Sequence, residues 1–285
     1  MMRDLGAQPE LCSINTATLG FQAPIELVIE AVARAGFGGI APWRREVEGR
    51  DVAAISRRIG DAGLKVSGYC RSTYIPAASP DRFNANVAAN RRAIDDAAVL
   101  GASCFVMVVG GLPAGSKDIA GARRQVTDAV GLLLDHGSRR NVGIALEPLH
   151  PVYAADRSCL SLLSEALDIC DALEGITDNP WLGTLADVYH LWWDPNLDRD
   201  IARAGLARRI FGFHVSDWLV PTADVLNDRG MMGDGVIDVP RIRERVEAAG
   251  YRGPVEAEIF STNNWWKRPM AEILSVCKER FATAT

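Results

Sequence analysis

Strand-like and helix-like patterns alternate eight times along this chain, and this alternation limits the fold more than any other feature. Short apolar runs of strand length are each followed by a longer stretch with helical periodicity. The predicted strands span residues 11–15, 39–42, 64–69, 103–109, 142–147, 182–187, 210–215 and 254–260. The predicted helices span residues 24–35, 51–62, 81–100, 118–136, 160–173, 197–204, 239–249 and 269–281.

Eight βα units in 285 residues predict an α/β fold, a single (β/α)8 TIM barrel that occupies residues 1–285 as one domain. A doubly wound sheet fits less well, because no Gly-rich dinucleotide fingerprint follows the first strand. The longest predicted loop, residues 216–238, follows the seventh strand. Loops of this length in a compact domain are usually functional or mobile.

The composition limits the kinds of binding partner that this protein can have and indicates its cellular compartment. A net charge of −5 gives no general electrostatic footprint for nucleic acid. No stretch approaches the roughly 20 apolar residues of a membrane span, and the first residues lack a signal-peptide pattern. Six cysteines without a C-x-x-C pair suit a reducing compartment. We therefore expect a cytoplasmic protein without nucleic-acid or membrane partners; a homo-oligomer or a small partner subunit stays open.

Four predicted strands end in a residue type that binds metals. These residues are Glu147, Asp187, His214 and Glu258. The carboxyl ends of all strands ring one face of a barrel, so the four side chains should meet there. One imidazole and three carboxylates favour one divalent cation, Mn²⁺ or Mg²⁺ first, with Co²⁺ or Zn²⁺ as alternatives. Taken singly, each carboxylate could instead pair with an arginine, and His214 could be a core histidine.

The motifs around these residues match a known pattern. They are Leu-Glu-Pro-Leu at Glu147, Asp-Val-Tyr-His from Asp187, His-Val-Ser-Asp from His214, Glu-Ala-Glu ending at Glu258, and Gly-Asp-Gly-Val-Ile-Asp at residues 233–238. In them the chain resembles the xylose isomerase-like barrel superfamily, which holds ketose 3-epimerases, hydroxypyruvate isomerase, inosose dehydratase and endonuclease IV. The resemblance implies that the four residues bind the metal and that His190 faces the substrate.

One branch of that superfamily fits poorly. A trinuclear zinc nuclease needs further histidines, where this chain has Pro42-Trp43 and Tyr69-Cys70 and no histidine after Asp217. The whole chain holds four histidines. We therefore expect a mononuclear site and no role in DNA repair.

A single metal that binds two vicinal oxygens of a hydroxy-ketone polarises its carbonyl and acidifies the adjacent C–H. The resemblance implies that Glu147 and Glu258 move the proton through an enediolate, and that His190 holds a substrate oxygen. These roles predict a metal-dependent sugar isomerase or epimerase that acts on a ketose or related hydroxy-ketone.

Two other functions stay open. His150 lies three residues after Glu147 and could be a general base, which would suit a lyase that dehydrates or cleaves a keto-glycoside or C-glycoside. It could equally be an ordinary loop histidine. The second alternative is a sugar-binding subunit without enzymatic activity.

The substrate-binding residues expected beside His190 are Trp43, Trp218 and Arg229. Tryptophans just past strand ends can stack on a sugar, although a core or interface role is equally consistent with their positions. Arg44 could also reach the pocket. The sequence contains no clear phosphate cradle, which favours a free sugar or sugar derivative over a sugar phosphate.

Overall fold

The computed structural model describes residues 2–174 and 180–285, and within them parallel strands close into a barrel surrounded by helices. The strands in chain order are β1 (Cys12–Asn15), β2 (Gly39–Ala41), β3 (Lys65–Val66), β4 (Cys104–Met107), β5 (Gly143–Leu146), β6 (Leu182–Asp187), β7 (Ile210–Val215), β8 (Asp217–Trp218), β9 (Arg229–Gly230) and β10 (Val255–Ala257). All except β8 and β9 belong to the barrel, in the order β3-β2-β1-β10-β7-β6-β5-β4.

Hydrogen bonds between the first and last strands of this order close the sheet. The Ser103 N–H donates to the Val66 carbonyl at 3.0 Å, and the Tyr69 N–H donates to the Cys104 carbonyl at 3.0 Å. The strand β3 is shorter than predicted because residues beyond Val66 pair only through isolated bridges, such as Tyr69 with Phe105. The predicted (β/α)8 barrel is confirmed.

Helices follow the barrel strands as the periodicity predicted. They are α1 (Ile25–Arg34), α2 (Arg44–Val47), α3 (Val52–Asp61), α4 (Pro80–Leu100), α5 (Ile119–Arg140), α6 (Leu163–Glu174), α7 (Val188–Leu191), α8 (Leu197–Leu206), α9 (Val239–Ala248) and α10 (Met270–Thr283). The short helices α2 and α7 were not predicted. The helix α7 begins directly after β6, and two residues separate α2 from the end of β2; Arg45 of α2 and His190 of α7 line the cavity at the barrel mouth.

The predicted end of the helix at residues 118–136, before Gly137, is wrong; this helix is α5 in the structure. The helix continues to Arg140 and ends at Asn141, which adopts a left-handed conformation with φ 57°. Gly137 serves packing instead, because a Cβ there would lie 2.9 Å from the Val142 carbonyl. The glycine lets the chain that enters β5 pass close to the helix, so it marks a close approach and not a helix end.

Alternating side chains divide the buried residues into two layers. On β4, Phe105 and Met107 belong to the large core between strands and helices, whereas Cys104 and Val106 point into the barrel. The six cysteines are all free and buried, as expected for small apolar side chains. No helix among the described residues combines the length and apolar character that a membrane crossing needs.

Residues 216–238 are not a plain loop, because they contain the antiparallel pair of β8 and β9. The Asp217 carboxylate accepts hydrogen bonds from the backbone N–H groups of Trp218, Gly233, Gly235 and Ile237, at 2.8–2.9 Å. The Arg229 N–H donates to the Phe260 carbonyl at 2.8 Å, which ties this hairpin to the segment after β10. One buried carboxylate therefore organises the segment and fixes where Arg229 lies.

Candidate active site

The four predicted ligands meet at the carboxyl ends of four neighbouring strands. Glu147 follows β5, Asp187 ends β6, His214 lies in β7 and Glu258 follows β10. All four are buried, and one ligand atom from each lies within 4.8 Å of the others. The barrel thus brings together residues that are more than a hundred positions apart in the chain.

His214 has one ring nitrogen engaged and one free. Its Nε2 lies 3.0 Å from Glu256 Oε1. Its Nδ1 is buried without a hydrogen-bond partner, 3.8 Å from Glu147 Oε1 and 3.7 Å from Glu258 Oε2. An imidazole held at one nitrogen by a carboxylate, with the other facing further carboxylates, is the usual arrangement of a metal-binding histidine. The residues therefore fit one divalent cation bound by the predicted four.

Glu256, which the sequence did not single out as a site residue, contacts the cluster through His214. Its carboxylate accepts hydrogen bonds from Asn15 Nδ2 at 2.9 Å and from the Ser67 hydroxyl. Asn15 also donates to Glu258 Oε1 at 3.1 Å. The signal was present in the sequence, since residues two apart on a strand point to the same face, so Glu256 had to enter the barrel with Glu258.

Arg229 is buried against the cluster. Its Nη1 lies 3.2 Å from both Asp187 Oδ2 and Glu258 Oε2, and its Nη2 lies 3.2 Å from His190 Nε2. The guanidinium is sandwiched between the rings of Tyr189 and Phe260, at 4.3 and 5.0 Å. A single guanidinium therefore partly balances a group of carboxylates, and negative charge remains for a cation to neutralise.

Burial and neighbouring charges separate the acidities of the two glutamates. Burial raises the pKa of Glu147, and the charge of Glu258 raises it further. Burial also acts to raise the pKa of Glu258, but His214 and Arg229 hold it below its usual range. Burial and then Arg229 lower the pKa of His190 well below its usual value. His190 is therefore a neutral imidazole at neutral pH.

A cavity of about 260 Å³ opens onto this cluster. Glu147, Glu258, His190 and Arg229 line it, whereas Asp187 and His214 do not. Aromatic, arginine and smaller side chains complete the wall: Phe21, Trp43, Arg45, Cys70, Arg71, Tyr74, Val108, Leu149, Tyr153, Arg157, Leu226, Asn227, Phe260 and Trp266. Two of the four predicted ligands thus face the cavity, and the other two lie outside its lining.

Trp43 and Trp218, both expected at the substrate, occupy different positions. Trp43 lines the cavity, and its indole N–H donates to Asn15 Oδ1 at 2.6 Å. Trp218 stacks on Tyr189 at 4.8 Å between ring centroids and lies outside the cavity lining. Arg44 also lies outside it, where it pairs with Glu48 at 2.9 Å.

His150, the expected general base, lies beside the cavity and not in its lining. Its ring packs near Trp218 at 5.0 Å and Trp193 at 5.7 Å, and its Nδ1 lies 3.2 Å from the Val152 N–H. Its backbone N–H donates to His190 Nδ1 at 3.2 Å. In this arrangement the main chain of His150, and not its imidazole, contacts the site.

Comparisons with known proteins agree with the fold. Protein SMc04130 from Sinorhizobium meliloti 1021 superposes with a TM-score of 0.93 at 47% identity, covering 97% of this chain and 99% of that one. A 3-dehydroshikimate dehydratase of Pseudomonas putida is 26% identical over 87% of this chain and 38% of its own length. The L-ribulose-5-phosphate 3-epimerase UlaE of Shigella flexneri serotype 5b is 28% identical over 57% of this chain and 52% of its own length. The chain thus spans about half or less of these two curated relatives.

A family model describes most of the chain. The model for the xylose isomerase-like TIM barrel matches residues 29–279, a range that includes all four predicted ligands. Together with the eight-stranded barrel, this match makes the chain a member of the xylose isomerase-like TIM barrel family.

Proposed function

We propose that this protein is a divalent-metal-dependent isomerase or epimerase that acts on a ketose or related hydroxy-ketone. The observation that carries the proposal is the placement of Glu147 and Glu258. They are the two predicted ligands that line the cavity, and their strands, β5 and β10, are separated in the barrel by β6 and β7. Carboxylates from two sides of one cavity can remove a proton from a substrate carbon and return it.

Glu147, Asp187, His214 and Glu258 would hold the cation, with Mn²⁺ or Mg²⁺ favoured by the three carboxylates. When bound, a divalent cation supplies a Lewis acid that polarises the substrate carbonyl. Glu256 keeps His214 Nδ1 directed at the carboxylates by engaging the other ring nitrogen at 3.0 Å.

His190 would stabilise the negative charge that develops on a substrate oxygen. Its Nδ1 accepts the His150 N–H, so the proton of the neutral ring lies on Nε2. Nε2 lies 3.6 Å from Asp187 Oδ2, and a substrate oxygen in the cavity would be a further acceptor for its proton. A neutral imidazole can still donate a hydrogen bond through its N–H, and an enediolate oxygen can accept that bond.

Solvent deuterium exchange tests the proposal. Protein loaded with Mn²⁺ is incubated in heavy water with a panel of ketoses, and deuterium in the recovered sugar is measured by mass spectrometry. We expect exchange into at least one ketose, and a fall of about 10² to 10⁴ in its rate for Glu147→Gln and Glu258→Gln, as for loss of a general base.

The exposed Glu244 provides the matched control, since Glu244→Gln makes the same chemical change far from the cavity. We expect this control variant to exchange deuterium at the wild-type rate. Absence of exchange into any ketose, or exchange that survives EDTA, would contradict the proposal. Absence of exchange, together with a sugar affinity that EDTA does not change, would favour a sugar-binding subunit without enzymatic activity.

A metal-dependent lyase is the second candidate, favoured by the similarity to 3-dehydroshikimate dehydratase. Dehydration next to a ketone also begins with removal of a proton from the adjacent carbon, so Glu147 and Glu258 would serve both reactions. In the lyase a neighbouring hydroxyl then leaves, and the product is an unsaturated ketone detectable by ultraviolet absorbance. His150→Ala separates two forms of this idea: turnover is abolished if His150 is the base and retained if a glutamate is.

A further inference from the structure

Three arginines line the cavity wall beyond the carboxylates, and each lies over an aromatic ring. The distances from guanidinium carbon to ring centroid are 4.3 Å for Arg45 over Phe21, 4.6 Å for Arg71 over Tyr74 and 5.7 Å for Arg157 over Tyr153. All three arginines and all three rings belong to the cavity lining. A guanidinium held by its face keeps its N–H groups at the edge free to bind a ligand.

Few acceptor groups of the protein pair with the N–H groups of these three guanidiniums. Among the residues that the structure describes, no carboxylate lies within ion-pair distance of Arg45 or Arg71, and the one near Arg157 is the exposed Asp156 at 3.9 Å. Within the described part of the chain, the one hydrogen bond that the Arg71 guanidinium donates is a long one, to the Ser72 carbonyl at 3.5 Å. Three cations of this kind converge on one cavity in a chain whose net charge is −5.

Two other arginines lack this combination of a stacked guanidinium, free donors and a position in the cavity lining. Arg268 also stacks on a ring, at 4.3 Å from Trp265, but it pairs with Glu272 at 2.8 Å and lies outside the cavity. Arg229 lines the cavity, but Asp187 and Glu258 take up its Nη1. Stacking together with free donors inside the cavity is the feature that Arg45, Arg71 and Arg157 share.

The chain places these arginines on three separate connections between a strand and the following long helix. Arg45 lies in α2 after β2, Arg71 follows β3, and Arg157 lies between β5 and α6. The carboxylates Glu147 and Glu258 line the same cavity. A substrate with its hydroxy-ketone at the carboxylates would therefore direct its other end toward the arginines.

We propose that the substrate carries an anionic group, a carboxylate or a phosphate, which Arg45, Arg71 and Arg157 bind. This inference rests on the proposed function and narrows it to acidic hydroxy-ketones. Arginine has donors and no acceptor, so a group of arginines suits an oxyanion better than a neutral polyol, whose hydroxyls both donate and accept. The sequence favours a free sugar or sugar derivative over a sugar phosphate because it has no phosphate cradle, but an anion site can also be assembled from separate loops.

Titration calorimetry with three matched ketoses tests the proposal on the Mn²⁺-loaded protein. D-Fructose is neutral, D-fructuronate carries a carboxylate at carbon 6, and D-fructose 6-phosphate carries a phosphate there. We expect at least one charged ketose to bind at least about tenfold more tightly than fructose, with an advantage that falls as salt is added. The tighter of the two identifies the anion as a carboxylate or a phosphate.

The affinity for the charged ketose should fall by roughly 10-fold to 100-fold in each of three variants, Arg45→Gln, Arg71→Gln and Arg157→Gln. This is the usual effect of losing a hydrogen bond to a charged group. Arg268→Gln, which removes a stacked but paired guanidinium, should leave the affinity unchanged. Equal affinities for the three ketoses, no detectable binding of the charged ones, or unchanged affinity in all three variants would overturn the proposal.

The two proposals can fail separately. If the charged ketoses bind through the arginines but no solvent deuterium enters any ketose, the anion site stands and the proposed reaction falls. If fructose exchanges deuterium and the charged ketoses have no advantage, the reaction stands and the anion site falls.

Discussion

The two ends of the barrel differ in how their buried charges are paired. At the carboxyl end, Glu147, Asp187, Glu256 and Glu258 surround His214 and one guanidinium, Arg229, and His214 Nδ1 has no hydrogen-bond partner. At the other end, the carboxylate of Glu247 is shared by Arg3 and Arg243, and both of its oxygens accept hydrogen bonds.

The pairing at that opposite end joins both ends of the chain. Arg3 donates its backbone N–H and its Nε to Glu247, at 2.8 and 3.1 Å. Arg243 donates its Nε to Glu247 at 2.8 Å and its Nη1 to the Thr285 carbonyl at 2.8 Å. Charge that is paired stabilises the fold, whereas charge left in excess at the carboxyl end is available to a cation and a substrate. Substitutions at the two ends should therefore impair different properties, stability at one end and metal or substrate binding at the other.

The largest effect on stability should come from Glu247→Ala. Removing one partner of a buried ion pair leaves the other charges uncompensated, so we expect the free energy of unfolding to fall by about 3–5 kcal/mol. Denaturant unfolding followed by circular dichroism measures it. Metal binding by the folded variant should be normal; loss of metal at the other end of the barrel would break the comparison.

His214→Ala should remove the stabilisation that metal provides. A ligand that binds only the folded state at a hundredfold excess over its Kd stabilises by about 2.7 kcal/mol. We expect added Mn²⁺ to raise the melting temperature of the wild type and of the Glu244→Gln control, and to leave that of His214→Ala unchanged. One bound ion per chain in His214→Ala, measured by elemental analysis, would show that the assigned coordination is wrong.

Glu256→Gln should weaken metal binding without abolishing it. The amide keeps the shape of the side chain but loses the charge that orients His214, and loss of such an outer partner typically costs about 10-fold to 100-fold in affinity. Competition with a fluorescent chelator measures the Kd for Mn²⁺. An unchanged Kd would mean that Glu256 stabilises the fold, as Glu247 does, and does not support metal binding.

The smallest effect should be the pH dependence of the paired end. Burial acts to raise the pKa of Glu247, but the Arg3 N–H and Arg243 hold it below its usual value of 4.5. Because the folded pKa is below the unfolded one, the stabilisation is full above about pH 4.5 and is lost as pH falls through the folded pKa. The difference in unfolding free energy between the wild type and Glu247→Gln should therefore shrink in acid. A difference that stays constant with pH would contradict this linkage.

The fold and the cluster of four residues could be predicted because both depend on local patterns. A buried strand is visible as an apolar run, and barrel geometry places any residue at its end on the same face, so Glu147 and Asp187 had to be neighbours. Segment boundaries were less certain where one residue type has two uses. Gly137 has the appearance of a helix end but allows close packing, and Asp217 turns a presumed loop into an ordered hairpin.

The sequence by itself determined the barrel, the face that carries the candidate site and the types of side chain that cluster there. Only the tertiary structure decided which side chains face the cavity: Glu147 and Glu258 line it, Asp187 and His214 lie outside its lining, and the His150 ring points elsewhere. It also decided which arginines keep free donors. The physical reason is that a strand's periodicity fixes the direction of its own side chains, whereas the partners of a loop side chain depend on other loops that are distant in the chain.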